Sequence, residues 1–386
     1  MKPSFSTLGD VAEFINGAAF KPEDWGEEGA RIIRIQNLTD PTKPYNRTTR
    51  QIHARLHVHP GDILVSWSAT LGVFEWRGPD IGLLNQHIFR VLPDESKVEK
   101  RYLVHALALA LVDMQQHLHG ATMMHVNRGE FLATRLYLPP LHEQRRIAAI
   151  LDQADALRAK RRAALAQLDE MARAIFVEMF GDPAQNPLGW NMRKLGDLII
   201  AKPNNGIFKK NTEYGEGLPV VWVEQLFRGN QIDLTDARRL KLTEREIEQY
   251  ALKHGDILFC RSSLKLSGIG FNNVYLSEDN RAIFECHLIR ISPDKSRITP
   301  AFLNFVLRMP NQRQKLFKYA KTVTMSTIDQ YGLKQITVPV PPLARQNSFI
   351  ERLQKLEQLH AQSSQELSRS EELFASLQNR AFRGEL

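Results

Sequence analysis

The chain has 386 residues, a length that corresponds to roughly two or three domains of ordinary size. Its composition, 43% hydrophobic and 24% charged, is that of a globular protein and excludes disordered, collagen-like and disulfide-framework classes. Only two cysteines occur, which excludes a four-thiolate zinc site. The longest apolar stretch, 102–112, is shorter than the roughly 18 residues of a membrane span, and no secretory signal opens the chain. We therefore expect a cytoplasmic protein with no membrane partner.

The sequence repeats itself in order along its length. Three short motifs occur twice: Leu-Gly-Asp at 8–10 and 195–197, Gly-Asp-Ile-Leu at 61–64 and 255–258, and Pro-Pro-Leu at 139–141 and 341–343. The distance between the copies only grows along the chain, as it does when one copy carries loop insertions. The chain is therefore interpreted as two copies of one unit.

Each unit begins with short apolar runs separated by Gly, Pro and Asn, which predicts a globular α+β domain. The predicted strands, in chain order, are 31–38, 62–67, 88–92, 219–223, 256–260 and 287–291. The predicted helices are 99–118 and 299–320, the second of which begins at a Thr-Pro pair.

Each unit ends in a long helix that follows the Pro-Pro pair. Apolar residues recur there at spacings of three and four, a narrow stripe that is typical of a coiled coil. At 1.5 Å per residue, each helix would be about 55–60 Å long. We predict two pseudo-repeated α+β domains, 1–141 and 183–343, joined by an antiparallel coiled coil of 142–182 with 344–386. The alternative is that each helix packs separately on its own domain.

The net charge of +8 lies in one part of the chain. Residues 183–343 hold 23 Lys and Arg against 15 Asp and Glu, whereas the remaining segments are balanced. A basic excess favours a polyanionic partner, and a solvated basic surface is the alternative. No P-loop, no Gly-rich dinucleotide motif and no adenine-methyltransferase motif occurs, and His57 and His59 lack a third metal ligand. We predict a binding protein that is not an enzyme, with no catalytic residue and no metal site.

Double-stranded DNA is a suitable ligand for two different binding domains held at a fixed separation, because its grooves repeat about every 34–36 Å. Lys and Arg contact phosphates, while Asn, Gln, Arg, Ser and Thr reach base edges. Candidate DNA-contacting residues of these types are Arg34, Gln36, Asn37, Ser66, Ser68, Asn85, Gln86, Asn127 and Arg128 in the first domain, and Lys209, Lys210, Arg238, Arg239, Arg261, Ser262, Ser263 and Lys265 in the second.

The motifs resemble those of the specificity subunits of type I restriction–modification systems. The resemblance covers essentially the whole chain. It rests on the duplicated Leu-Gly-Asp and Gly-Asp-Ile-Leu motifs, Leu-Pro-Pro-Leu-His-Glu-Gln at 138–144, Phe-Gly-Asp at 180–182 and the C-terminal run 377–386. Ala344-Arg345 departs from His142-Glu143 at the matching place. The resemblance implies that each domain is a target-recognition domain reading one half of a bipartite, asymmetric DNA sequence, and that the helix pair sets the spacer.

The resemblance also implies partners. Two modification (methyltransferase) subunits would dock on the helix pair, and restriction (motor and nuclease) subunits would join that complex. S-adenosylmethionine would belong to the methyltransferase partner, with no cofactor in this chain. Two other hypotheses stay open: a coiled-coil adaptor for protein partners, and a DNA methyltransferase or nuclease with an unrecognised site.

Overall fold

The computed structural model describes residues 4–40, 42–117, 127–278, 281–322 and 325–386. The chain divides into two compact units, Met1–Ala164 with Ser363–Leu386, and Leu165–Gln362. Each unit combines a globular head with parts of two long helices, whereas the sequence-based division places heads and helices in four separate segments. Among the described residues, no helix is both long and apolar enough to cross a lipid bilayer.

The first head, the part of the first unit that precedes the long helix, contains both strands and helices. In chain order these are β1 (Phe5–Thr7), α1 (Leu8–Val11), β2 (Ala12–Asn16), β3 (Ala30–Ile33), α2 (Ile35–Thr39), β4 (Arg47–Thr48), β5 (His57–Val58), β6 (Ile63–Ser66), β7 (Gly72–Glu75), β8 (Gly82–Leu84), β9 (Ile88–Pro93), α3 (Lys100–His117), α4 (Arg128–Leu132) and β10 (Arg135–Tyr137). An antiparallel sheet has the order β2-β9-β6-β7, and a mixed sheet has the order β4-β3-β8-β5. Residues of α3 share a core with residues of the antiparallel sheet.

The second head repeats this arrangement, with one long helix before it and another after it. The elements are α5 (Leu141–Phe180), β11 (Met192–Lys194), β12 (Asn204–Asn205), β13 (Tyr214–Val221), α6 (Val223–Leu226), β14 (Arg239–Leu240), α7 (Glu244–Tyr250), β15 (Ile257–Cys260), β16 (Ser262–Ser263), β17 (Asn272–Val274), β18 (Ile283–Phe284), β19 (Leu288–Ile291), α8 (Pro300–Arg308), α9 (Pro310–Phe317), β20 (Lys321–Thr322), β21 (Ser326–Thr327), α10 (Gln330–Gln335), β22 (Thr337–Pro339) and α11 (Leu343–Arg383). The sheet β12-β19-β15-β17 matches β2-β9-β6-β7 strand for strand. The fold is thus α+β and internally duplicated, as the repeated motifs predicted.

The duplicated Gly-Asp-Ile-Leu motif forms a turn that leads into a buried strand in both heads. Gly61 and Gly255 have φ of +91° and +92°, a conformation that a residue with a Cβ rarely adopts. The carboxylate of each following Asp accepts the backbone N–H three residues before it, at 2.7 and 2.8 Å. The strands that follow, β6 and β15, are buried along their whole length.

Two predicted elements differ from the structure. The predicted strand 31–38 ends at Ile33, because 35–39 forms the short helix α2. The predicted helix 299–320 is interrupted at Met309, since Pro310 has no N–H to continue it and begins α9 instead. Leu118, the last residue of the other predicted helix, lies outside the described residues.

In the first unit, the beginning of α5 lies against the end of α11. The guanidinium of Arg158 lies 3.6 Å from the centroid of the Phe374 ring, and Arg162 forms a 2.6 Å ion pair with Glu371. Numbering rises along one helix as it falls along the other, so the two run antiparallel. Leu151 is fully buried in the core of the first head.

In the second unit, the end of α5 lies against the beginning of α11. The rings of Phe176 and Phe349 meet edge to face with centroids 5.4 Å apart, and both join the core of the second head. In each unit the helices therefore contact one another and also pack on a head. Leu157 and Met171 belong to the apolar stripe of the first long helix, which predicts a seam of contact with the second long helix, and they are 43% and 48% exposed. Their assignment to the seam was wrong, because other positions of α5 face the cores.

A buried glutamine fixes the beginning of α5 to the first head. The Gln144 side chain is fully buried, and its Oε1 accepts the Glu99 N–H at 2.8 Å. Its Nε2 donates to the carbonyls of Lys97 and Pro139, at 2.9 and 2.7 Å. One carboxamide thus supplies hydrogen-bond partners to three backbone groups at this junction.

Gln346 does the same at the beginning of α11. It is also fully buried, accepts the Thr299 N–H at 2.7 Å, and donates to the carbonyls of Arg297 and Pro341. The duplication therefore extends to individual hydrogen bonds. A carboxamide supplies both an acceptor and two donors, a combination that an apolar or acidic side chain of similar length lacks.

We expect Gln346→Leu to destabilise the second unit by about 1–3 kcal/mol, because the buried groups of its three partners lose their hydrogen bonds. The midpoint of chemical denaturation measures this. Gln167→Leu, at an exposed position of α5 in the same unit, is the matched control. Equal midpoints for the two variants would show that the Gln346 hydrogen bonds do not stabilise the unit.

Candidate nucleic-acid interface

Three of the predicted DNA-contacting residues in the first head are buried. Asn37 is 4% exposed, and its amide accepts the Arg34 N–H and donates to two backbone carbonyls. Ser66 is fully buried in β6 and donates to the Thr70 carbonyl at 2.5 Å, and Ser68 is 6% exposed. The structure corrects these three assignments, because residue type predicted polarity but not burial.

The other predicted residues of the first head lie on accessible parts of its surface. Arg34 is half-buried, stacks on the Trp25 ring at 5.1 Å and donates to Asn46 at 3.2 Å, while Gln36 is exposed on α2. The half-buried Asn85 and Gln86 lie in the turn between β8 and β9. The two pairs of residues are neighbours, because Arg34 and Asn85 directly follow the paired strands β3 and β8 and the Asn85 N–H donates to the Ile33 carbonyl at 3.3 Å.

Asn127 and Arg128 open the short helix α4. The Asn127 Oδ1 accepts the N–H groups of Gly129 and Glu130, at 2.8 and 3.4 Å, and so caps the helix. Arg128 is exposed, donates one N–H to the Phe14 carbonyl at 3.1 Å and lies over the Phe89 ring. The cap fixes the direction in which Arg128 leaves the helix.

The basic residues of the second head differ in how free their charges are. Lys209 Nζ lies 3.0 Å from Glu246, and the Thr243 N–H together with Lys209 lowers the pKa of that carboxyl to about 2. Its neighbour Lys210 is exposed, with no ion pair among the described residues. A phosphate therefore meets less competition at Lys210.

Two further arginines of the second head are exposed beside its mixed sheet. Arg238 stacks on the Trp222 ring at 4.8 Å, and Arg239 donates to the Gly217 carbonyl at 2.9 Å. Stacking on an aromatic ring leaves the edge of the Arg238 guanidinium open to an anion.

The predicted cluster at 261–265 is divided by the fold. Ser262 and Ser263 form the half-buried strand β16, and the Ser263 Oγ accepts the Lys265 N–H. Arg261 and Lys265 are exposed. The Arg261 Nη1 donates to the Cys286 carbonyl at 3.2 Å, which orients the guanidinium.

Arg261 lines a surface depression of about 340 Å³, which is lined by Asn205, Arg261, Ile289, Asp329, Gln330 and Tyr331. The Gln330 Nε2 donates to the Asn205 Oδ1 at 3.3 Å, and Tyr331 is 66% exposed. The sequence pattern pointed to Arg261 but not to the other polar residues of the depression, since these come from two segments, 205 and 329–331, that lie far from residue 261 in the chain. The repeated Asn-Gly pairs at 16–17 and 205–206 were a signal for one of them.

The turn beside Arg261 brings together three possible metal ligands, Glu285, Cys286 and His287, whose ligand atoms lie within 4.8 Å of one another. The buried Glu285 Oε2 accepts the His287 backbone N–H at 2.9 Å and lies 2.7 Å from the His287 ring nitrogen. Burial, with the nearby Glu285 charge, raises the pKa of the Cys286 thiol. In the first head Asn85 stands in the same place before His87. An acceptor at this position thus serves to close the turn in both heads.

Comparison with known proteins reproduces the duplication. The family model for the type I restriction modification DNA specificity domain matches residues 3–167 and, a second time, residues 187–369. The EcoBI specificity subunit of Escherichia coli is 26% identical, over 98% of this chain and 85% of that protein. The EcoKI specificity subunit of Escherichia coli strain K12 is 25% identical, over 69% of this chain and 61% of that protein.

Solved structures share the fold. A chain from a study of complex assembly and conformational transition of the type I R-M system has a TM-score of 0.56 and 18% identity, and covers 100% of this chain and 99% of its own. The S subunit from M. genitalium has a TM-score of 0.53 and 15% identity, with coverages of 99% and 96%. The chain belongs to the family of type I restriction–modification DNA specificity subunits, with one specificity domain in each half.

Proposed function

We propose that each head of this specificity subunit contacts one half of a bipartite, asymmetric target in double-stranded DNA. The observation that carries the proposal is the depression of the second head, where an exposed guanidinium and two amide side chains converge. Arginine and amide side chains are the groups that read base edges in the major groove. The heads share a fold but differ in these side chains, so they read different half-sites.

Exposed basic residues of the second head hold the DNA backbone. Lys210, Arg238 and Lys265 contact phosphates in the second head, whose sequence carries the whole basic excess of the chain. In the first head, Gln36 and the 85–86 turn contribute polar groups without a net charge.

The two long helices set the spacer between the half-sites and dock two modification subunits. Exposed apolar side chains on both helices support a partner surface: Leu157, Met171, Val177, Leu359 and Leu373. Restriction subunits complete the complex in the cytoplasm. S-adenosylmethionine binds to the methyltransferase partner, and this chain contributes recognition without catalysis.

We expect the purified chain to transfer no methyl group from labelled S-adenosylmethionine to duplex DNA. Label on the DNA is measured with and without added modification subunits, and we expect label only in their presence. Transfer by the chain alone, abolished in a preparation denatured beforehand, would make it an enzyme and end the assignment of catalysis to the partner.

Lys210→Ala should weaken DNA binding more than Lys209→Ala, because Lys209 already pairs with a carboxylate of lowered pKa. The measurement is affinity for a duplex as a function of salt concentration. Loss of one phosphate contact reduces the salt slope by about one unit. A salt-independent affinity of the parent chain would instead favour the protein-adaptor hypothesis.

Inserting seven residues after Ala164 and seven after Gln362 should widen the preferred gap between half-sites by about three base pairs. Two turns of helix add about 10 Å and keep the apolar repeat of both helices in phase. Binding to a series of duplexes with different gaps measures the change. An unchanged gap, or altered half-site sequences, would show that the helices do not set the spacer.

A further inference from the structure

Three of the positions that line the depression of the second head have counterparts in the first head, and these three positions make up the equivalent site there. Its first wall is a strand-end asparagine. In the second head Asn205 pairs with Ile289 between β12 and β19, and in the first head Asn16 pairs with Phe89 between β2 and β9. Asn205 and Asn16 therefore occupy the same register position of equivalent sheets.

The second wall follows the buried strand of the Gly-Asp-Ile-Leu motif. The Arg261 N–H donates to the His287 carbonyl at 2.7 Å, and the Trp67 N–H donates to the His87 carbonyl at 3.3 Å. Both residues come directly after the central strand of the antiparallel sheet. Arg261 of the second head thus corresponds to Trp67 of the first.

The third wall is the first residue of a short capped helix. Asp329 caps α10 through the Gly332 N–H at 2.7 Å, as Asn127 caps α4. The residues that follow the caps are Gln330 and Arg128. These two positions are therefore equivalent.

Each of the two equivalent sites thus combines one asparagine with one guanidinium, but the guanidinium comes from a different wall in each head. In the second head it comes from the sheet (Arg261), with an amide on the helix (Gln330). In the first head it comes from the helix (Arg128), with an aromatic ring on the sheet (Trp67). Each arginine uses one N–H for a backbone carbonyl, which orients its planar group.

We propose that each of the two equivalent sites binds the major-groove edge of a purine and that its arginine recognises guanine. A guanidinium held in one direction donates two parallel hydrogen bonds to the O6 and N7 atoms of guanine. Because Arg261 lies on the sheet wall and Arg128 on the helix wall, the two heads place guanine at different positions of their half-sites. This inference rests on the proposed DNA-reading function and identifies the residues that set the difference.

The test compares Arg261→Ala and Arg128→Ala in the full chain, with binding measured against single-base variants of its selected target. Arg261→Ala should reduce the preference for guanine at one position of one half-site roughly 10- to 100-fold. Arg128→Ala should do so in the other half-site only. Arg261→Lys should recover overall affinity but not the preference, since an ammonium lacks the planar fork.

The matched control is Arg238→Ala, which removes an exposed arginine of the same head and should lower the affinity for all DNA sequences by the same factor. If Arg261→Ala also lowers the affinity for every DNA sequence by the same factor, Arg261 contacts phosphate. The inference is then wrong, while the proposed function stands. If the parent chain shows no sequence preference, the proposed function itself fails. Thermal unfolding of each variant distinguishes a loss of base preference from a loss of folded protein. Gln330→Ala then tests the depression of the second head through its helix residue, and it should also reduce base preference in the half-site that Arg261→Ala affects.

Discussion

The hydrogen bonds of the two buried glutamines are the constraint on which the architecture depends. Gln144 and Gln346 each join a backbone N–H and two carbonyls at the point where a head meets a long helix. Leaving such groups unpaired in a buried site costs free energy at each of them. Because the same hydrogen bonds occur in both units, the junction stays constant while the rest of each head changes.

What changes is the surface that the constant framework presents. The glycine turn, the central strand and the helix cap recur in both heads and place side chains at the same positions. At these positions arginine replaces tryptophan (261 and 67) and glutamine replaces arginine (330 and 128). A duplicated scaffold with exchanged side chains is a simple physical route to two readers with different preferences. Under the proposed function, the basic excess of the second head adds affinity for the DNA backbone without adding sequence preference.

The sequence predicted those parts of the fold that are determined by residues close together in the chain. Repeated motifs, proline pairs and apolar spacing are visible in the printed chain, and they led to the duplication and both long helices. Burial of Asn37 and Ser66 was not visible, since a polar residue type does not reveal whether it faces the core. The depression was missed because four segments that are distant in sequence build it. The seam positions were misjudged because each helix faces a head as well as its partner helix.

Selection of the full chain against a fully randomised duplex library tests the central claim most directly. Two readers of one fold with different side chains predict two short blocks of fixed bases, unlike in sequence and separated by a constant unselected gap. Two identical blocks, or a single continuous block, would contradict the account, because the exchanged side chains would then carry no information about sequence.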